Sequence, residues 1–171
     1  MDANLPQRPG MGGLAGVACA RMAAGDIGAA EELFLAFLQG DPHYRDVAST
    51  YGDAGPKVLR QALHMFVEQP ELGFVWMARE AHEVVGCCVV CYAISTSRGG
   101  LVAKLDDVNV RPGREGRGVG TAMLASLKDE LKRVGVTRID TAAHFDNPRA
   151  RRFYEREGFA SLREERLSCL L

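Results

Sequence analysis

The sequence predicts a single α/β domain of the α+β kind, a mixed, mostly antiparallel sheet flanked by about four helices. Three observations carry this. The chain has 171 residues, enough for one full core and too few for two. Long β-like runs follow one another at hairpin spacing in the middle of the chain, which asks for antiparallel pairing. From residue 101 the pattern changes to strand, helix, strand, helix, and two strands joined through a helix become parallel neighbours.

Residues 1–15 are rich in Gly and Pro without periodicity and read as a flexible N-terminal tail, leaving 16–171 as the one domain. Val17 to Met22 is a candidate first strand. Asp26 is placed to cap a helix carrying Ile27, Leu33, Phe34, Phe37 and Leu38 on one face. Asp41 to Gly55 is polar and turn-rich. A second helix is expected from Lys57 to Glu68, entered at Pro56, with Val58, Leu59, Ala62, Met65 and Phe66 as its stripe. Phe74 to Arg79 and Val84 to Ile94, separated by Glu80-Ala81-His82-Glu83, read as a hairpin. After a loop at Ser95 to Gly100, Leu101 to Val110 is a third long strand. A helix from about Gly118 to Val134 buries Val119, Met123, Leu127, Leu131 and Val134. Thr137 to Phe145 is expected as a strand, Pro148 to Glu157 as a helix, and the tail from Phe159 as β-like. No internal repeat is visible.

Composition removes several classes. With 47% hydrophobic and 25% charged residues, the chain is neither disordered nor fibrous. No apolar run approaches the ~18 residues needed to span a bilayer, and the N-terminus lacks a basic region followed by an apolar one. A cytoplasmic protein with no membrane partner is expected. The five cysteines show no zinc-like spacing, and Cys87, Cys88 and Cys91 read as small buried hydrophobes in a strand, so no metal site is expected. Residues 1–99 carry a net charge of −4 and residues 100–171 one of +3. That asymmetry is too small and too scattered to suggest nucleic acid, though the basic half suits a polyphosphate and the acidic half a cation.

Chemistry concentrates at Val108-Asn109-Val110-Arg111-Pro112-Gly113-Arg114-Glu115-Gly116-Arg117-Gly118-Val119-Gly120-Thr121, which passes from strand through turn into helix. Glycines 116, 118 and 120 let backbone approach a ligand closely. The first N–H groups of the helix have no acceptor within it and share the positive end of its dipole, which makes an anion site suited to pyrophosphate. A Walker A loop is excluded because Val119 stands where Lys is required. A dinucleotide fingerprint fails at its third glycine, where Thr121 stands, and this turn follows a meander instead of opening a parallel sheet.

The segment Glu115-Gly116-Arg117-Gly118-Val119-Gly120 resembles the coenzyme A signature of the GCN5-related N-acetyltransferases (GNAT superfamily), Q/R-x-x-G-x-G/A at a strand–helix junction. Its first position departs from the pattern: Glu115 replaces Gln or Arg. A carboxylate there repels phosphate unless it points away, with Arg114 a candidate for the vacant role. Downstream, Asn147-Pro148-Arg149-Ala150-Arg151-Arg152-Phe153-Tyr154-Glu155-Arg156-Glu157-Gly158-Phe159 reads as a capped short helix. It resembles the family's second hallmark, N-x-x-A-x-x-F-Y-x-x-x-G-F, at every marked position. The likeness covers roughly residues 17 to 171.

The resemblance implies a sheet splayed between the Leu101–Val110 and Thr137–Phe145 strands, with a bulge near Val110 helping to open it. Acetyl-CoA is the implied co-substrate, its arm lying along the free backbone of Val108, Asn109 and Val110. Its pyrophosphate is expected on Arg114, Glu115, Gly116, Arg117, Gly118, Val119, Gly120 and Thr121, with Asn147, Ala150 and Tyr154 nearby. Transfer needs a neutral amine, donors for the oxyanion and a proton for the leaving thiolate. Tyr154 is the implied acid, with Asn109 and Val110 offering N–H groups to the oxyanion. For the base, Asp107 is favoured and Asp106 stays open; strand alternation sends the two to opposite faces. His144 and a water are further candidates. The expected acceptor is a primary amine on a small cationic molecule such as an aminoglycoside or polyamine. A peptide or protein amine, or a non-catalytic acyl-CoA-binding sensor, are the alternatives. The family often forms homodimers, and the apolar run Leu167 to Leu171 is a candidate to pair with a partner strand.

Overall fold

The computed structural model describes residues 16–42 and 56–169. The expected tail 1–15, most of the turn-rich stretch 41–55 and the last two residues of the C-terminal run lie outside them. Among the described residues the elements are β1 (Val17–Arg21), α1 (Ile27–Gly40), α2 (Pro56–Glu68), β2 (Gly73–Glu80), β3 (Glu83–Ser95), β4 (Gly100–Val110), α3 (Val119–Arg133), β5 (Ile139–Thr141) and α4 (Pro148–Arg156). The strands form one sheet in the order β1-β2-β3-β4-β5. The first three pairings are antiparallel and β4–β5 is parallel, as the change of pattern at residue 101 requires.

Both faces of the sheet are covered, which is why β2 and β3 read as continuous apolar runs and not as alternations. Phe74, Trp76 and Ala78 of β2 join Val85, Cys88 and Val90 of β3 and Leu105 of β4 on one face. There they meet Val119, Met123, Leu124, Leu127 and Leu131 of α3. Their spacing keeps these five on one stripe of the helix. Each such side chain contributes roughly 1.5–3 kcal/mol on burial. Val75, Met77, Val84 and Cys87 point to the other face, against Ile27, Ala30, Leu33 and Phe34 of α1 and Leu63 of α2.

Three expectations change and a fourth is made more specific. Asp26 precedes α1, yet its carboxylate makes no cap bond to that helix. It accepts from the N–H of Ala23 at 2.9 Å and pairs with Arg79 at 2.8 Å, because a short 3-10 turn at Ala24–Asp26 intervenes. The strand expected from Thr137 to Phe145 is only Ile139–Thr141. Its pairing with β4 ends at Leu105↔Thr141, and beyond that rung the segment has no ladder hydrogen bonds to hold it extended. The segment from Phe159 to Cys169 has no regular structure. Leu162 and Leu167 stay 65% and 85% exposed, so no burial supports a strand there. The bulge expected near Val110 is present and falls at Asp107–Val108: β3–β4 pairing runs from Val89↔Asp106 directly to Cys87↔Asn109, so two residues of β4 face Cys88 alone.

Candidate active site

Beyond Leu105, β4 pairs with β3 on one side, and among the described residues no strand pairs with it on the other. Thr141 closes the last shared rung, its hydroxyl donating to the Leu105 carbonyl at 2.9 Å. The sheet is thus split from Asp106 to Val110. That strip of backbone needs partners from outside the sheet.

The glycine-rich turn lies at the end of this open edge. Gly116 and Gly118 adopt left-handed φ of 73° and 81°, which glycine reaches without the penalty of a Cβ. Gly118 is the N-cap of α3 and supplies no side-chain cap, so the first N–H groups of α3 stay available to an anion. Gly120 is glycine for a different reason. A Cβ there would stand 3.2 Å from Cζ of Phe153, so Gly120 lets α3 approach α4. Val119 is 1% exposed, its side chain spent on the core.

Glu115 curls onto its own turn, Oε2 accepting from the N–H of Gly113 at 2.7 Å. Arg114 reaches the β2–β3 hairpin, bonding Glu80 at 2.7 Å and Glu83 at 2.9 Å. Arg117 is exposed on the turn. Thr121 donates its hydroxyl to Glu157 at 2.7 Å. Asn147 caps α4, accepting from the N–H of Ala150 at 2.9 Å. These two residues therefore fix where α4 begins against the turn.

Alternation does not separate Asp106 from Asp107. Asp107 is the extra residue of the bulge, with φ of 50°, a conformation Asp tolerates better than most residues. Burial raises its carboxyl from the ordinary 3.8 to about 6; the nearby Asp106 charge adds to the rise, and Lys104 and Arg166 oppose it. Asp106 itself pairs with Lys104 at 2.5 Å. Tyr154 lies between the rings of Phe153 and Phe159, each 5.4 Å away. Burial pushes its phenol up from 10, a hydrogen bond with Thr141 partly offsets this, and the charges of Cys88, Asp106 and Asp107 add to the rise. Both aspartates are thus near enough to Tyr154 for their charges to act on its phenol. His144 lies in the β5–α4 loop, where its Nδ1 accepts from the N–H of Asp146 at 3.2 Å.

Two participants escaped the sequence reading. Thr141 orients Tyr154 and closes the split, and nothing in a three-residue strand marks it. Asn109 entered as a backbone donor, yet its side chain is buried at 7% exposure. A lone amide between Val108 and Val110 in an apolar strand was the available signal. Its Nδ2 donates to the Asp107 carbonyl at 2.9 Å and approaches Cys87 Sγ at 3.4 Å, while its Oδ1 has no partner among the described residues. Burial, first of all, pushes the Cys87 thiol to about 12, so it stays protonated. Among the described residues no cluster of His, Cys, Asp or Glu could hold a metal ion, and no helix is long and apolar enough to cross a membrane.

Comparison with known proteins supports the fold. The fold is similar to an integron cassette protein from the mobile metagenome of Cole Harbour Salt Marsh, at 26% identity over 90% of each chain with a TM-score of 0.73. A predicted acetyltransferase with acetyl-CoA from Clostridium acetobutylicum is similar at 18% identity, over 90% of this chain and 96% of that one, with a TM-score of 0.70. A ribosomal-protein-alanine N-acetyltransferase from Brucella melitensis biovar Abortus 2308 gives 16% identity, 90% and 99% coverage, and a TM-score of 0.70. No curated protein matches the sequence. The family model described as the acetyltransferase (GNAT) family matches residues 29–159. That stretch begins in α1 and ends at the last position of the second motif, and by it the chain belongs to the GNAT acetyltransferases.

Proposed function

We propose that this acetyltransferase moves the acetyl group of acetyl-CoA to a primary amine on a small cationic molecule of the aminoglycoside or polyamine kind. The observation that carries the reading is Asp107, a half-buried carboxyl held at about 6 where the sheet splits. It is ionised at neutral pH, yet basic enough to take a proton from an attacking amine. Asp106 lies close enough to add negative charge, and the pair attracts a cation.

The donor's place follows from the open edge and the uncapped start of α3. Those N–H groups and the positive end of the α3 dipole suit its pyrophosphate, and the open backbone of Asp106 to Val110 suits the amides of its arm. Glu115 does not block the turn, because its carboxylate is held on the Gly113 N–H. Arg114 is engaged by Glu80 and Glu83, which leaves Arg117 as the cation for the phosphates.

Asp107 takes the proton released as the amine nitrogen bonds to the acetyl carbon. Backbone N–H groups of the open β4 edge stabilise the oxyanion. Tyr154, still protonated because burial raises its pKa, gives its proton to the sulfur as the carbon–sulfur bond breaks. The products are the acetylated amine and the free thiol. A thioester is already reactive, so positioning supplies much of the acceleration.

The test is thiol release from acetyl-CoA with a panel of polyamines, aminoglycosides and peptides bearing free N-termini. Release with the small cationic amines is expected. Release with peptides alone would move the acceptor to a protein N-terminus, the substrate class in the name of the Brucella neighbour. Coenzyme binding without turnover on any amine would overturn the catalytic reading.

A further inference from the structure

Pairing places four side chains on one face of the sheet. Lys104 stands opposite Cys91 of β3 and Asp140 of β5. Asp106, two residues beyond Lys104, stands opposite Val89. Val89 packs against the cluster under α1 and α2, so this is the face those helices cover. Their cover extends over Val75, Met77, Val84 and Cys87. It leaves Lys104 exposed and Cys91, Asp106 and Asp140 half-buried. The opposite face is closed by α3, so an acceptor approaches the aspartates from the Lys104 side.

The charges of this patch are paired off. Arg138 holds Asp140 at 2.9 Å, which leaves the Lys104 ammonium to Asp106 at 2.5 Å. Lys104 also opposes the negative charge at Asp107, as does Arg166. Burial raises the Cys91 thiol from its ordinary 9.0; Asp106 and Asp107 add to the rise and Lys104 opposes it. Lys104 and both aspartates thus act on one spot.

We propose that Lys104 is a specificity-determining residue of the acceptor site: its ammonium fills the place beside Asp106 that a second ammonium of the acceptor would otherwise take. The proposal rests on the small-amine reading of the acceptor and narrows it. Asp107 receives the reacting amine, and Asp106 is left with no unopposed charge for another cation. A second ammonium within one Debye length, about 8 Å at physiological salt, meets Lys104 as a like charge. Displacing Lys104 gives no relief, because Asp140, the acid on its other side, is held by Arg138. Among small cationic amines, the site therefore favours those whose reacting amine stands well apart from the next charge.

Steady-state kinetics test this with two linear diamines, one with a three-carbon and one with an eight-carbon spacer, at saturating acetyl-CoA. The readout is the ratio of their kcat/KM values, long over short. Intrinsic differences between the diamines are the same for every variant, and an effect on Asp107 acts on both alike, so a change in the ratio reports Lys104. Lys104→Gln should lower the ratio about two- to fivefold, the range of an exposed charge pair, and Lys104→Arg should keep it at the parent value. In the unmodified protein, raising KCl from about 0.05 to about 0.5 M should lower the ratio similarly, because screening weakens the Lys104 charge. That arm needs no variant to fold. An unchanged ratio in Lys104→Gln would overturn the proposal. So would Lys104→Arg behaving like Lys104→Gln, or a parent ratio insensitive to salt. Acetylation of neither diamine by the unmodified protein would instead remove the small-amine reading on which the proposal stands.

Discussion

Asp107 combines a left-handed backbone conformation, burial and a raised pKa, and each has a cost that a structural residue would not carry. The sign of its effect on stability follows from linkage. Between the ordinary 3.8 and about 6 the folded protein holds a proton that the unfolded chain releases, so stability falls as pH rises through that window. At roughly 1.4 kcal/mol per pH unit, the loss above pH 6 is about 2–3 kcal/mol. Asp107→Asn keeps a side chain that tolerates the left-handed conformation and removes the charge. It should therefore be more stable than the parent at pH 7.5, equal to it near pH 3, and lower in turnover by on the order of a hundredfold. Urea unfolding at the two pH values, with steady-state rates, checks this; a variant that loses stability at pH 7.5 would refute the burial argument. In the parent, turnover should rise with pH through about 6 as Asp107 loses its proton. For Tyr154→Phe, turnover should also drop on the order of a hundredfold, with the KM for acetyl-CoA unchanged. A KM rising in step would assign the tyrosine to packing against Phe153 and Phe159 instead.

The strand, turn and helices around the site work as one device, and their parts were unequally legible. Asn147, Pro148 and Gly158 mark α4 so plainly that its start and its cap were readable from the chain. The turn itself was legible because glycines at its left-handed positions have a local cause. Gly120 has a tertiary one, the Phe153 ring 3.2 Å from where a Cβ would stand. For Gly120→Ala, a gain of up to about 1 kcal/mol in helix propensity offsets the slight displacement of Phe153, and stability should change little. Gly120→Val adds branches that α4 cannot avoid. It should lose roughly 1–3 kcal/mol, read as a shift in the denaturant midpoint. Equal stability of the two variants would show that α4 yields freely. The bulge was the least legible part. Asp106 and Asp107 look like neighbours on opposite faces until pairing with β3 shows that Asp107 is the extra residue.

Over the whole molecule, the sheet divides its labour by face and by edge. One face packs α3 and, through Phe153 and Tyr154, α4. The other packs α1 and α2. Charges distant in sequence act across this arrangement. Arg111 ties the end of β4 to Glu32 of α1 at 2.9 Å, and Arg166, in the irregular C-terminal segment, lowers the Asp107 pKa. Arg166→Gln should move the acid limb of the turnover profile to higher pH while leaving the KM for acetyl-CoA unchanged. An unmoved limb would mean that water screens Arg166 from the site. By itself, the sequence determined the order of the elements, the single domain, the parallel pairing of the strands around α3 and the family. Each of these is encoded by periodicity, turn residues and motif spacing within a short stretch of chain. Only the tertiary structure decided where β5 stops, that Asp107 is the bulged residue, that Arg114 belongs to the hairpin, and that Asn109 holds an unanswered acceptor. The physical reason is common to all four: each depends on which groups meet across the sheet, and burial, pairing register and unmet hydrogen bonds exist only once distant segments are in contact.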